Sequence, residues 1–192
     1  MIDLHTVPDS QNGFDNGGLC GVCKFHTNPA HVEFALSVLE RLAARYRGRP
    51  GLWGIEVLNE PVSPQVWQLI DVPKRFVPVD TAHAQGSEPV PTAFLQRFYR
   101  DAYARIRAQD EQVTVVFHDG FRLREWAGFF TEPAFRNIVV DTHMYLVTRT
   151  LTEGDAELDA ILAHIEQQFG GSLREMSQEF PVLVGEWSLD PY

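Results

Sequence analysis

A chain of 192 residues, 44% hydrophobic and 22% charged, has the length and balance of one globular domain able to bury a core. Sixteen Lys and Arg stand against twenty-six Asp and Glu, a formal net charge of −10, and no basic cluster supplies the phosphate neutralisation that nucleic acid or an anionic membrane would need. Two cysteines cannot build a disulfide framework, and no apolar run reaches the roughly 18 residues of a membrane span.

The chain opens on Ile2-Asp3-Leu4-His5-Thr6-Val7, a strand-like run over 2 to 7 with neither the charged nor the apolar part of a signal peptide. A helix follows over 29 to 47. Val32, Ala35, Leu36, Leu39, Leu42, Ala43 and Tyr46 keep helical spacing, Asn28 caps the start beside Pro29, and Gly48 with Pro50 stops it. A second strand spans 53 to 58. From 61 to 91 periodicity fails and six prolines appear, which predicts a long connection structured by turns. The spacing of Phe94, Leu95, Phe98, Ala102 and Ile106 predicts a helix over 92 to 108. Strands at 113 to 118 and 138 to 145 flank a short irregular helix within 122 to 135. Leu158, Ile161, Leu162 and Ile165 predict a helix over 157 to 169, and a last strand spans 182 to 187.

Short β-branched runs alternating with amphipathic helices predict βα units and a parallel sheet. Five strands exceed a small α/β unit, yet a (β/α)8 TIM barrel takes about 250 residues. With strand-like runs at both termini, the expectation is one domain, 1 to 192, holding an incomplete barrel interrupted at both ends.

Each predicted strand ends in polar residues: His5, Asn59-Glu60, His118-Asp119, His143 with Tyr145, and Glu186. In a parallel barrel those carboxyl ends share one face and carry the active site. Alternation sets Asp3 with His5, His143 with Tyr145, and Val182 and Val184 with Glu186. Glu60 and Glu186 on that rim fit a carboxyl pair in which one group is kept protonated as acid while the other is ionised as nucleophile. Either glutamate alone would more readily be a structural carboxylate. Two of them with His and Tyr partners favour catalysis.

The segments Asp3-Leu4-His5, Ser10-Gln11-Asn12-Gly13-Phe14-Asp15-Asn16, Gly54-Ile55-Glu56-Val57-Leu58-Asn59-Glu60-Pro61, His118-Asp119-Gly120-Phe121, Asp141-Thr142-His143-Met144-Tyr145 and Gly185-Glu186-Trp187-Ser188 resemble, in order, the motifs of glycoside hydrolase family 5. Within it the chain is most similar to the exo-β-1,3-glucanase branch. The resemblance implies that the five strands correspond to barrel strands three to seven. It implies a retaining β-glycosidase acting on a β-glucan or β-glucoside, without metal or organic cofactor.

Carried over position by position, Glu60 becomes the general acid and then base, and Glu186 the nucleophile. Asn59 meets the sugar 2-hydroxyl, His5, His143 and Tyr145 support the carboxylates and the first sugar, and Phe14, Asp15 and Trp187 contact substrate. The family also places an arginine after its second strand and a tryptophan after its eighth, for which the sequence here offers no strand. Fungal members carry a second aromatic shortly after the His/Tyr pair, where this chain has Thr148, and Pro-Gly-Ser where it has Pro8-Asp9-Ser10.

Cys20 and Cys23, near His26 and His31, form a Cys-x-x-Cys without a second cysteine pair, and read as two thiols or a local disulfide before a metal or redox site. A metal held by His5, His118, His143 and Asp141 is the weaker account of the rim. Glu56, of Glu60's parity, is expected to point into the lower barrel and to bond another buried group. The reading from another class is a non-catalytic fragment that at best binds carbohydrate or a complementary fragment. The compartment cannot be read from the sequence.

Overall fold

The computed structural model describes residues 1–131, 133–145, 159, 162–163 and 165–188. Five strands, β1 (Ile2–Asp3), β2 (Gly54–Glu56), β3 (Thr114–His118), β4 (Ile138–Tyr145) and β5 (Val182–Ser188), lie side by side in chain order, every neighbouring pair parallel. Parallel neighbours need crossover connections, and a helix after each strand that returns the chain to the next position produces this order. The result is the expected part of a β/α barrel, a half-barrel whose outer strands among the described residues are β1 and β5.

Helix α1 (Pro29–Tyr46) begins as its sequence predicts. Asn28 Oδ1 accepts the Ala30 N–H at 3.0 Å, Pro29 stands in the first turn, and past its end Gly48 takes a φ of +66° that a side chain would resist. Two short helices, α2 (Pro64–Leu69) and α3 (Val72–Arg75), occupy the proline-rich connection that was expected to hold only turns. Pro64 and Pro73 sit in their first turns, and Ser63 Oγ caps the Val66 N–H, so these prolines start helices where they read as breakers. Helix α4 (Thr92–Gln109) buries Leu95, Phe98, Tyr99, Ala102 and Ile106 and packs against α1.

The expected irregular helix after β3 is a single 3-10 turn, Leu123–Trp126. Those residues of the helix expected over 157 to 169 that are described, 159, 162–163 and 165–169, are helical, while 157–158, 160–161 and 164 lie outside the described residues. A π turn, Glu166–Gly170, runs there into α5 (Gly171–Met176) without a break. Gly170 and Gly171 cost about 1 kcal/mol each inside a helix, and α5 buries Ser172 and Met176.

Tyr99, Phe117, Trp126 and Phe130 form an aromatic layer outside β3, with ring centroids 4.9 to 5.2 Å apart in successive pairs. The same layer pins the end of β3. Tyr99 O–H donates to the His118 carbonyl at 2.7 Å and Trp126 Nε1–H to the Asp119 carbonyl at 2.8 Å.

Candidate active site

At the carboxyl ends of the strands lies a cleft of about 1110 Å³, whose lining includes Phe14, Asp15, Glu60, His143 and Tyr145. Glu60 enters it from a strained backbone. Its φ is +44°, in the left-handed region, although it precedes a proline, and such a residue persists at a cost of order 1–3 kcal/mol only where its surroundings enforce it. Here Asn59 N–H donates to the Leu4 carbonyl, Val62 N–H to the Gln11 carbonyl, and Arg122 Nη2 to the Pro61 carbonyl. Gly120, at φ +63°, permits that close approach, since a Cβ there would fall inside 3 Å of the Pro61 oxygen.

His143 stands between the two glutamates. Its Nδ1 is 2.9 Å from Glu60 Oε1 and 3.5 Å from Glu186 Oε2, while Nε2 is 3.6 Å from Asp141 Oδ2, an ion-pair distance. Burial works against a charged ring, but the carboxylates of Asp141 and Glu60, with the charge of Glu186, raise its pKa to about 10. The ring is therefore a cation at neutral pH and donates Nδ1–H to Glu60. Asn16 Nδ2 donates to the other Glu60 oxygen at 3.1 Å, and Tyr145 O–H to Glu186 Oε2 at 2.5 Å. The facing oxygens of Glu60 and Glu186 stand no further apart than their two distances to Nδ1 laid end to end.

Around this centre the buried groups divide by charge. His118 Nδ1 accepts the Gly120 N–H at 2.9 Å, and burial, then the charges of His143 and Arg122, holds its pKa well below the ordinary value. Its neutral ring meets that of His143 edge to face, centroids 4.4 Å apart. Asp119 accepts from Phe121 N–H and Thr142 Oγ1–H, yet burial lifts its pKa to about 6. Glu56 is buried deeper, as expected, but its Oε1 has no hydrogen-bond partner, contrary to the expectation of a bonded group. Burial, then the charges of Asp3 and Asp141, pushes its pKa to about 9, so it is a neutral acid. Protonation spares this buried position an uncompensated charge.

Two sets among the described residues bring possible metal donors within 4.8 Å of one another: Glu60 with His118 and His143, and Glu56 with Asp141 and His143. Neither suits an ion. His118 Nδ1 is spent as an acceptor, so Nε2 carries the ring proton and has no free lone pair, and His143 is held protonated by its carboxylates. Cys20 and Cys23 are free thiols, with Cys23 buried, and His26 and His31 face Glu88 and Asp9.

Of the residues singled out in the sequence, Glu60, Glu186, His143 and Tyr145 come together. His5 and buried Asn59 form a neighbouring group: His5 Nδ1 lies 2.7 Å from Asp3, and Asn59 Nδ2 lies 3.4 Å from His5 Nε2. Phe14 is a wall residue packed at a tilt against Phe76 with centroids 5.1 Å apart, and Asp15 is exposed on the rim. Trp187 is not brought to the cleft. It is 67% exposed on β5 and pairs in register with Met144. Thr148 lies outside the described residues. Sequence reasoning passed over Asn16, whose signal was its place beside Asp15 in the quoted motif, and gave Asp141 a part only in the metal account, although its parity with His143 sets it on the same side. It also misassigned parity on β5. The register steps from Thr142↔Val184 to His143↔Glu186, so Gly185 is an inserted residue and Glu186 does not continue the Val182, Val184 series.

A half-barrel of parallel strands with its polar cluster at their carboxyl ends is a piece of a (β/α)8 barrel, and known structures agree. A rutinosidase from Aspergillus niger superposes with a TM-score of 0.70 at 24% identity, over 99% of this chain and 49% of that one. An endoglucanase from Thermotoga maritima gives 0.52 at 18% identity, over 86% and 51%. A probable glucan 1,3-beta-glucosidase A from Emericella nidulans is 32% identical over 192 residues, 98% of this chain and 40% of that protein. The glucan 1,3-beta-glucosidase of Candida oleophila is 31% identical over 97% of this chain and 39% of its own length. No family model matches. The chain is a distant homologue of the fungal glucan 1,3-beta-glucosidases of glycoside hydrolase family 5, and it spans about two fifths of the length of those curated relatives.

Proposed function

We propose that residues 1–192 form part of the catalytic domain of a retaining β-glycosidase acting on β-glucan or β-glucosides, with Glu60 and Glu186 as its two carboxyl groups. The observation that carries this reading is the single His143 cation shared by both glutamates. The bound it sets on their facing oxygens accommodates the roughly 5 to 5.5 Å of retaining pairs. Tyr145 and His143 hold the Glu186 side chain in place. In the first step Glu186 attacks the anomeric carbon, the bond to the leaving oxygen breaks, and that oxygen takes a proton through Glu60 from the Nδ1–H of the His143 cation. Once the ester has formed, Glu60 takes a proton from the water that cleaves it, and His143 regains its own. Asn16 is exposed, and its amide can present either end to Glu60 as the proton comes and goes. Asn59 is offered to the sugar 2-hydroxyl, and Phe14 and Asp15 form the cleft wall and rim.

A second reading, a chain that binds carbohydrate or a complementary fragment without turnover, is favoured by one feature: Glu186 is 40% exposed on an outer strand. Hydrolysis of an aryl β-glucoside with light scattering separates the two. Turnover by a monodisperse sample, with the β-anomer as first product, supports the enzyme. An α-anomer removes the retaining mechanism, and binding or aggregation without turnover supports the fragment.

A further inference from the structure

Strand β4 carries a buried acid that the proposed reaction does not use. Asp141 is 1% exposed, and its two oxygens point to different elements. Oδ1 accepts the Gly185 N–H from β5 at 2.7 Å, and Oδ2 faces His143 Nε2 at 3.6 Å. Gly185 is the inserted residue of the β4/β5 register, and an inserted residue leaves its amide outside the regular ladder. The Asp141 carboxylate supplies the missing acceptor. The glycine is what makes room for it, since a Cβ at 185 would fall inside 3 Å of both oxygens and the carboxyl carbon. The consequence lies one residue on: with the insertion in place, Glu186 stands opposite His143, and without it that position would go to Gly185.

We propose that Asp141 is a positioning residue for Glu186, fixing the Gly185 bulge that sets Glu186 against His143 and bracing the opposite edge of the same ring. The proposal rests on the reading of Glu186 as nucleophile. One carboxylate thereby couples the strand of the nucleophile to the histidine that holds the acid. His143 is faced by Glu60, Glu186 and Asp141, with Glu56 and Asp3 below and neutral His118 against the ring, so its protonation reports on the whole cluster.

The test compares Asp141→Asn and Asp141→Ala with the unaltered chain. Asparagine keeps an acceptor for the Gly185 amide but not the charge. We expect the Gly185 amide to exchange with solvent little faster in Asp141→Asn and roughly a hundredfold faster in Asp141→Ala, with the Val116 amide in β3 unchanged as a control for folding. In both variants the protonation midpoint of His143, followed by its ring resonances, should fall by about one pH unit or more from near 10. Should Asp141→Ala fail to fold, Asp141→Asn with the ring titration still decides the bracing role. Gly185→Ala should reproduce the Asp141→Ala exchange, because the added methyl expels the carboxylate.

Trapping by a 2-fluoro-glucosyl fluoride, in which a Glu186 oxygen bonds the anomeric carbon as fluoride leaves, should label Glu186 and slow roughly tenfold or more in both Asp141 variants. Unchanged Gly185 exchange and an unchanged His143 midpoint in Asp141→Ala would overturn the positioning role. Unaltered chain that labels elsewhere or not at all, while the exchange and titration results hold, would instead overturn the assignment of Glu186 as nucleophile.

Discussion

The two glutamates rest on unlike supports. Glu60 is 4% exposed and follows β2, an inner strand with β1 and β3 on either side, and the backbone next to it is tied to the loop after β1 and to buried Arg122. The side chain of Glu186 is 40% exposed on β5, an outer strand, and its described support comes from β4 alone: Tyr145 and His143 directly, Asp141 through Gly185. The acid side is thus over-determined, enough to keep a non-glycine residue at positive φ, while the nucleophile inherits its geometry from one neighbour. Substitutions on β4 at Asp141 and Tyr145 should therefore act on Glu186 more than on Glu60, whereas His143 serves both.

The largest effect should come from the glutamates, measured in the longest form of the protein that turns over an aryl β-glucoside. Glu186→Ala should lower turnover of every glycoside by about ten-thousandfold or more, since no intermediate forms. Added azide should restore an α-glycosyl product. Glu60→Ala should spare the first step for activated leaving groups, which depart with little protonation, and azide should then give the β-product. Equal losses on activated and unactivated substrates would take the acid role from Glu60.

Next in size is Tyr145→Phe, which deletes a bond to the weakly supported carboxylate and leaves the ring. A hydrogen bond to a charged group is worth about 1.5–3 kcal/mol, so trapping at Glu186 should slow by roughly ten- to a hundredfold. The Glu60 step on activated substrates should be nearly untouched. Parallel losses in both steps would show that the two supports are not separate.

The buried acid below the pair predicts how stability depends on pH. Glu56 and His143 both bind a proton more tightly in the fold than in the unfolded chain, Glu56 from its ordinary 4.5 to about 9 and His143 from 6.5 to about 10. Folding then takes up protons, so stability is greatest below these windows and falls as pH rises through them. Urea midpoints should drop between pH 6 and pH 9.5. Glu56→Gln, which keeps shape and neutrality, should flatten the fall and leave the His143 part. A midpoint that rises with pH would remove the neutral acid from the account.

What the sequence made legible follows from the range of the forces involved. The β/α alternation, the α1 cap at Asn28 and Pro29, and the convergence of Glu60, His143, Tyr145 and Glu186 rest on periodicity and on the rule that parallel strands share one carboxyl end. Where reading failed, a contact distant in sequence decided the outcome. Gly185 looked like an ordinary strand glycine until Asp141, forty-four positions earlier, was seen to fill the place of its side chain. Pro64 and Pro73 broke the pattern locally while their helices were held by packing, with Val72 fully buried. The neutral acid at Glu56 reflects its burial beside Asp3 and Asp141, which no strand alternation reveals.

The smallest effect, and the finest probe of the better-supported side, is Asn16→Ala. Its amide reaches Glu60 Oε2 at 3.1 Å from an exposed position, so water can replace the lost donor. The loop that carries it should keep its shape, because Ser10 Oγ holds the Gly13 N–H and Asn12 Oδ1 the Phe14 N–H, both from buried side chains. Because water can take its place, this bond to a carboxylate is worth about 1 kcal/mol or less rather than the roughly 1.5–3 of a protected one, which predicts a two- to fivefold effect at most. It should fall on the second step, in which Glu60 acts as base and the Asn16 donor stabilises its ionised form, and appear as slower turnover of activated substrates whose first step is fast. A loss beyond about fiftyfold would exceed what one solvated donor can supply, and would mean that Asn16 orders the cleft itself and that the acid side depends on its loop as much as the nucleophile depends on β4.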